Sequence, residues 1–186
     1  LFALAFIFCF VLGGLSGVWL ALVPIDVHVT GTYFIVAHIH FVLFGGSVFT
    51  IYAGLYFWYP KMTGRMYNET LGKWHFWLSI VFFNMIFFVQ FFLGLAGMPR
   101  RIADYNPEFT TWNQISTIGA FGFALSQLLF LYVLVSAIRS GAKAPDKPWE
   151  GADSLEWTHL PTPAPYHSFE TPPVLASGQA VDQPNW

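Results

Sequence analysis

Residues 1–23 contain no charged side chain, and three further stretches, about 32–59, 74–99 and 109–138, continue in the same apolar manner. Each offers at least the roughly 20 residues that an α-helix needs to cross the hydrocarbon core of a bilayer. Backbone amides inside that core find no water, so a crossing segment must satisfy its own hydrogen bonds, as a helix does. The composition agrees. Of 186 residues, 55% are apolar, 20% are aromatic and only 10% are charged. An ordinary soluble domain carries about 25% charged residues. The expected fold class is an all-α membrane protein with four transmembrane helices over residues 1–138. Residues 139–186 then form an extended, Pro-rich tail. Glycines at positions 13, 14, 45 and 46 suit close helix–helix approach in lipid.

The net charge of −2 leaves no electrostatic footprint for nucleic acid. A single cysteine, Cys9, excludes a disulfide framework and a cysteine-based metal site. The sequence opens at Leu1 on membrane-like residues, without a basic leader, so it does not read as a signal peptide. It reads as one piece of a larger membrane subunit.

The loops set the expected orientation. Lys61, Arg65 and Lys73 lie between spans two and three, and Arg139, Lys143 and Lys147 follow span four. With four alternating spans these regions share a face, which the positive-inside rule assigns to the cytoplasm or matrix. Arg100 and Arg101 are the exceptions, placed together on the outer side. Two readings stand for them. One is a salt bridge with Asp104 or Glu108. The other is a cationic clamp for a ligand's carboxylates or phosphates, which the planar guanidinium fork suits.

The second span carries "VAHIHFVLFGG", with His38 and His40 one residue apart. Ionisable side chains inside a membrane are rare and mark functional sites by default. Two residues of α-helix turn through about 200° and rise about 3 Å. The imidazoles therefore point to opposite flanks and suit two separate sites rather than one chelated ion. Neutral imidazole is a good ligand for iron or copper, and an apolar, aromatic setting suits a porphyrin. Haem propionates want cationic partners at the water boundary, where the arginine pair is expected. A proton relay and plain packing remain the other readings of these histidines. His75 opens span three beside Trp74 and Trp77, in the interfacial belt, and reads as structural. His159 and His167 fall in the polar tail. Tyr33 and Tyr52 read as packing or water-network residues, and Glu69 can pair with Lys73 four residues on.

Four blocks carry a resemblance: "TYFIVAHIHFVL", "YPKMTGRMYNETLGKWHFW", "FFLGLAGMPRRIADY" and "PAPYHSFETPP". In this order they resemble subunit I of the haem–copper terminal oxidases, in the cytochrome c oxidase branch. The resemblance implies a twelve-helix subunit of which this chain is similar to the last four. It implies that His38 is the axial ligand of the high-spin haem and His40 an axial ligand of the low-spin haem. Arg100 and Arg101 match the pair that contacts haem propionates, and Asp26 matches a loop carboxylate near them. The cofactors implied are haem A in both roles and a copper centre. The copper ligands, the cross-linked tyrosine, the second low-spin ligand and the main proton-channel carboxylates belong to earlier helices, outside this chain.

One family feature departs. The pair preceding "TYF" is usually His-Asp and helps hold magnesium or manganese at the contact with subunit II. Here the pair is Thr30 and Gly31. Threonine is a poor replacement and glycine offers no side chain, which puts the magnesium site in question; His28 is the nearest substitute. The implied partners are the earlier eight helices, subunit II with its copper centre, subunit III, cytochrome c, oxygen and the lipid bilayer. The implied setting is a bacterial plasma membrane or a mitochondrial inner membrane, with the tail on the cytoplasmic or matrix side. The expected function is electron transfer from cytochrome c and reduction of oxygen to water, coupled to proton translocation. The alternatives are a quinol oxidase, a nitric oxide reductase, or a haem-free structural or assembly subunit.

Overall fold

The computed structural model describes residues 1–167, so the last part of the tail, including the end of the "PAPYHSFETPP" block, lies outside the described residues. Among those residues the chain is helical, without a β-strand. Helix α1 is Phe2–Ala21, and a short α2, Val23–Val29, follows it. Helix α3, Tyr33–Ile39, leads directly into a π-helix, His40–Val48, and then into α4, Phe49–Thr63. Helix α5 is Glu69–Leu95. A 3-10 turn, Pro107–Phe109, opens α6, Thr110–Ser140, and α7 is the single turn Leu155–Thr158. Four of these stretches, of 20, 31, 27 and 34 residues, are long and apolar enough to cross a membrane.

The boundaries differ from the expected ones by a few residues, most at the start of span three. There α5 begins at Glu69, whose carboxylate in the first turn complements the positive helix end. The π-helix was not expected. It is nine residues long, and an apolar run of that length carries no periodicity sharp enough to separate a wide turn from a 3.6-residue one. Helix α1 presses on it closely. A Cβ at Gly13 would stand 2.7 Å from Val42 Cγ2, and one at Gly45 would stand 2.5 Å from Cys9 Cβ. Wide π-turns inside α-helices recur at functional sites.

Two compact units make up the chain, one from residues 1–53 and 70–131, the other from residues 54–69 and 132 onward. The first unit is built around rings. Phe83 of α5 is fully buried, with Phe41, Phe44 and Phe49 at centroid distances of 5.1, 5.5 and 5.2 Å. Aromatic pairs at such separations add to the burial of their area. His75 sits in this unit and corrects the belt reading. It is fully buried, with its ring 5.1 Å from Phe2, 5.1 Å from Tyr52 and 4.9 Å from Phe130. Trp74 stays exposed because one residue of helix turns through about 100°.

The second unit corrects the extended tail, at least to residue 167. Trp157 and Leu160 are buried within it. Backbone bonds join Met66 N–H to Ala142 O (2.8 Å), Ala144 N–H to Gly64 O (2.9 Å) and Ala164 N–H to Lys61 O (2.9 Å). Lys61, expected in the connection between spans two and three, ends up in the last turn of α4 and is only 4% exposed. Its ammonium donates to Leu160 O (2.9 Å), Asp146 O (3.2 Å) and Thr162 Oγ1 (2.8 Å), and it lies 4.9 Å from the Trp157 ring centroid. An ammonium has three protons, so the three acceptors use all of them. Replacing Lys61 with Met keeps the stem and removes a donor from three oxygens, of which only Asp146 O keeps another, the Thr162 hydroxyl at 3.5 Å. Each buried acceptor left unmade costs about 1–3 kcal/mol, and with local relaxation we expect about 3 kcal/mol in total. Hydrogen exchange of the amides at 142–164 measures it: K61M should lose protection there, and unchanged protection would refute the ammonium's role.

Candidate functional site

The site is built where the chain enters the second span. Thr32 caps α3, its hydroxyl accepting from Phe34 N–H (3.2 Å) and donating to Val29 O (2.6 Å). Gly31 adopts a left-handed backbone, φ +82°, which only glycine takes without strain. Its carbonyl accepts from Arg100 N–H (2.9 Å), and Tyr33 N–H donates to Met98 O (3.0 Å). These bonds stitch the arginine loop, residue by residue, to the start of the histidine helix. Beneath the stitch Leu93, Met98 and Phe109 form a small apolar cluster against Tyr33. A Cβ at Gly94 would stand 2.0 Å from Phe34 N, so α3 and α5 meet here backbone to backbone.

Arg100 is half-buried and Arg101 exposed. Arg101 has φ +63°, a left-handed conformation that costs an ordinary residue about 1 kcal/mol. Such strain clusters at ligand clamps. The salt-bridge reading does not describe the pair. Asp104 accepts from Tyr105 N–H (2.8 Å) and Glu108 from Asn106 Nδ2 (3.4 Å), and neither pairs with an arginine among the described residues.

The two histidines meet different neighbours, as opposite flanks require. His38 turns to α1. Its Nδ1 lies 3.0 Å from Gly13 O and 2.9 Å from Ser16 Oγ, and a Cβ at Gly17 would touch its Cε1 at 3.0 Å. His40 turns to α5 and stacks on Phe87, with centroids 4.0 Å apart and planes 12° from parallel. Its Nδ1 lies 2.7 Å from Val36 O. A carbonyl oxygen only accepts, so each Nδ1 carries the proton. Each Nε2 then keeps its lone pair, and among the described residues neither Nε2 has a hydrogen-bond partner in the chain. An imidazole with one nitrogen anchored to a backbone carbonyl and the other free is the arrangement that metal-ligating histidines adopt. The donor set therefore fits haem iron.

Asp26 is half-buried on α2 and accepts from the Thr30 hydroxyl. Thr30 Oγ1 spends its proton on Asp26 and keeps its lone pairs, Gly31 has no side chain, and His28 is exposed. Among the described residues no group of three or more His, Cys, Asp or Glu side chains is arranged to hold a metal ion.

Sequence reasoning missed Ser16 and Phe87. Gly13, Ser16 and Gly17 stand at i, i+3 and i+4, on one helical face, and that spacing was the available signal. Phe87 carried none, since one phenylalanine among 21 does not mark itself.

The fold and these residues define an integral membrane protein, all-helical, whose second span presents two imidazoles to two different neighbours. The comparisons assign that class. Residues 1–122 match the family described as cytochrome c and quinol oxidase polypeptide I, and the chain belongs to it. Its relatives include a probable cytochrome c oxidase subunit 1-beta of Nocardia farcinica, 49% identical over 98% of this chain and 32% of that protein. The cytochrome c oxidase subunit 1 of Thermostichus vulcanus is 49% identical over 96% of this chain and 32% of its own length. A putative cytochrome c oxidase subunit 1-beta of Streptomyces avermitilis is 50% identical over 95% and 32%. The chain thus spans about a third of the length of the curated relatives it matches.

Proposed function

We propose that this chain supplies axial haem ligands to a respiratory terminal oxidase that takes electrons from cytochrome c and reduces oxygen to water, with coupled proton translocation. The observation that carries the reading is the pair of anchored imidazoles on one membrane helix. His38 holds the high-spin, oxygen-binding haem and His40 the low-spin haem. When bound, the haems supply one-electron transfer and the oxygen-binding iron; the copper ligands and the second low-spin ligand come from outside this chain.

The chain's own residues position and tune. The Nδ1–H bonds fix each ring's tautomer and orientation and strengthen Nε2 as a donor. Arg100 and Arg101 bind the propionates, and their stitching to Gly31 and Thr32 keeps that charge in register with the histidines. Charge held near a propionate raises the potential of the iron it serves, which is one of the protein's levers on a cofactor. Asp26, oriented by Thr30, opposes it on the same margin. The printed names of the relatives favour cytochrome c over quinol as the electron donor. The complex includes the rest of subunit I, subunit II with copper, and subunit III. The tail lies on the cytoplasmic or matrix face.

A reduced-minus-oxidised optical spectrum of the complex purified through this chain, with and without carbon monoxide, tests the reading. Two haem populations are expected, only one of them shifted by carbon monoxide. A complex without haem would overturn it in favour of a structural subunit.

A further inference from the structure

Both imidazoles are anchored through Nδ1, but not in the same way. His40 has one acceptor, the Val36 carbonyl of its own helix. His38 has two, and both come from α1. Its Nδ1 is 3.0 Å from Gly13 O and 2.9 Å from Ser16 Oγ, while Ser16 Oγ is itself 2.7 Å from Gly13 O. The three atoms form a closed triangle, and the protons within it are determined. The carbonyl can only accept, so the imidazole contributes Nδ1–H and the serine contributes O–H, both aimed at Gly13 O. The serine's lone pairs remain available, and Nδ1–H is shared between carbonyl and hydroxyl. Ser16 is only 8% exposed, so water does not compete for this bond.

Beside the triangle, Gly17 leaves room for the ring. A methyl there would stand 3.0 Å from His38 Cε1, closer than ordinary van der Waals contact. Gly13 cannot take a side chain without striking Val42 Cγ2 at 2.7 Å, so α1 and the histidine span pack closely at the residue whose carbonyl is the acceptor. The α1 face thus holds Nδ1 with two acceptors and, among the described residues, leaves Nε2 without a hydrogen-bond partner.

We infer that Ser16 is a positioning residue for His38: its hydroxyl shares the Nδ1 proton with Gly13 O and thereby sets how strongly Nε2 donates to the high-spin haem iron. This rests on the proposed role of His38 as that iron's ligand. The chemistry is a second-sphere one. Drawing the Nδ1 proton outward gives the ring imidazolate character and raises the basicity of Nε2. A purely structural serine is the competing account, since serine in a helix often bonds back to the i−3 carbonyl and does no more. The two accounts differ in what they move. A structural serine changes thermal stability. A positioning serine changes the iron–histidine bond.

The experiment is resonance Raman spectroscopy of the reduced, fully assembled oxidase carrying Ser16→Ala, Ser16→Thr or Ser16→Cys. In S16A the iron–histidine stretching band of the high-spin haem should move to lower frequency. Its midpoint potential should rise, because a weaker donor favours the ferrous state. S16T, which restores a hydroxyl, should return both toward the native values. The low-spin haem, held by His40, should be unchanged in all three. Should S16A fail to assemble, S16C tests the same point, because a thiol is a weaker acceptor of similar size and should give a smaller downward shift. An S16A or S16C band at the native frequency in haem-replete complex would overturn the inference. The underlying reading fails separately: if His38→Ala retains the carbon monoxide-binding haem with an intact iron–histidine band, His38 is not the ligand.

Discussion

Replacing His40 with alanine should abolish the low-spin haem signal and leave a haem that still binds carbon monoxide; replacing His38 should do the reverse. The expected effect is a complete loss in each case rather than a weakening. Removing only an outer-sphere partner of a metal ligand already costs about 10–100-fold in affinity or activity. Removing the donor itself leaves nothing to substitute for it. The wall that His40 faces is Phe87, a ring without a lone pair, and the wall that His38 faces offers a carbonyl and a hydroxyl turned toward Nδ1. Optical spectra of the two variants, reduced and with carbon monoxide, decide the matter. If either variant kept both signals, the assignment of one histidine to each haem would be wrong.

Gly94→Ala should be nearly as damaging without touching a ligand. The new methyl would lie 2.0 Å from the backbone nitrogen of Phe34 and 2.5 Å from its Cα. Those are main-chain atoms, which cannot rotate aside as a side chain can. Either α3 or α5 must move, and α3 carries His38 toward its end. Overpacking of this kind typically costs 1–3 kcal/mol, and a backbone obstacle puts the expectation at the upper end, about 3 kcal/mol. Shortened thermal-inactivation times and reduced haem content in G94A measure it. Gly14→Ala is the control, since a methyl there meets nothing within 4 Å in the chain. Equal behaviour of the two variants would remove the close approach of α3 and α5 from the account.

The four crossing helices were legible in the sequence because the bilayer demands long uncharged runs, and few soluble folds produce them. The separation of His38 from His40 was legible for a different reason: a two-residue step on a helix turns through about 200°. What surrounded those histidines was not. Ser16 lies 22 residues before His38, and only packing brings their atoms together. The stitch between Gly31 and Arg100 likewise joins positions nearly seventy residues apart. The burial of two polar residues was not legible for one physical reason. His75 reads as structural but in the interfacial belt, and Lys61 falls between two spans, yet both are buried. A polar side chain goes inside when acceptors or rings await it, and those partners come from distant parts of the chain.

The Lys61 socket also has a place in time. Its farthest acceptor, Thr162, is 101 residues further along the chain. At a synthesis rate of about 5–20 residues per second, the lysine waits roughly 5–20 s before that acceptor exists. Throughout that wait α5 and α6 are still being made, and the end of α4 must keep its ammonium in water. The latch therefore closes late, after α5 and α6 have been made, and the order of synthesis makes residues 142–164 the last part of this socket to arrive.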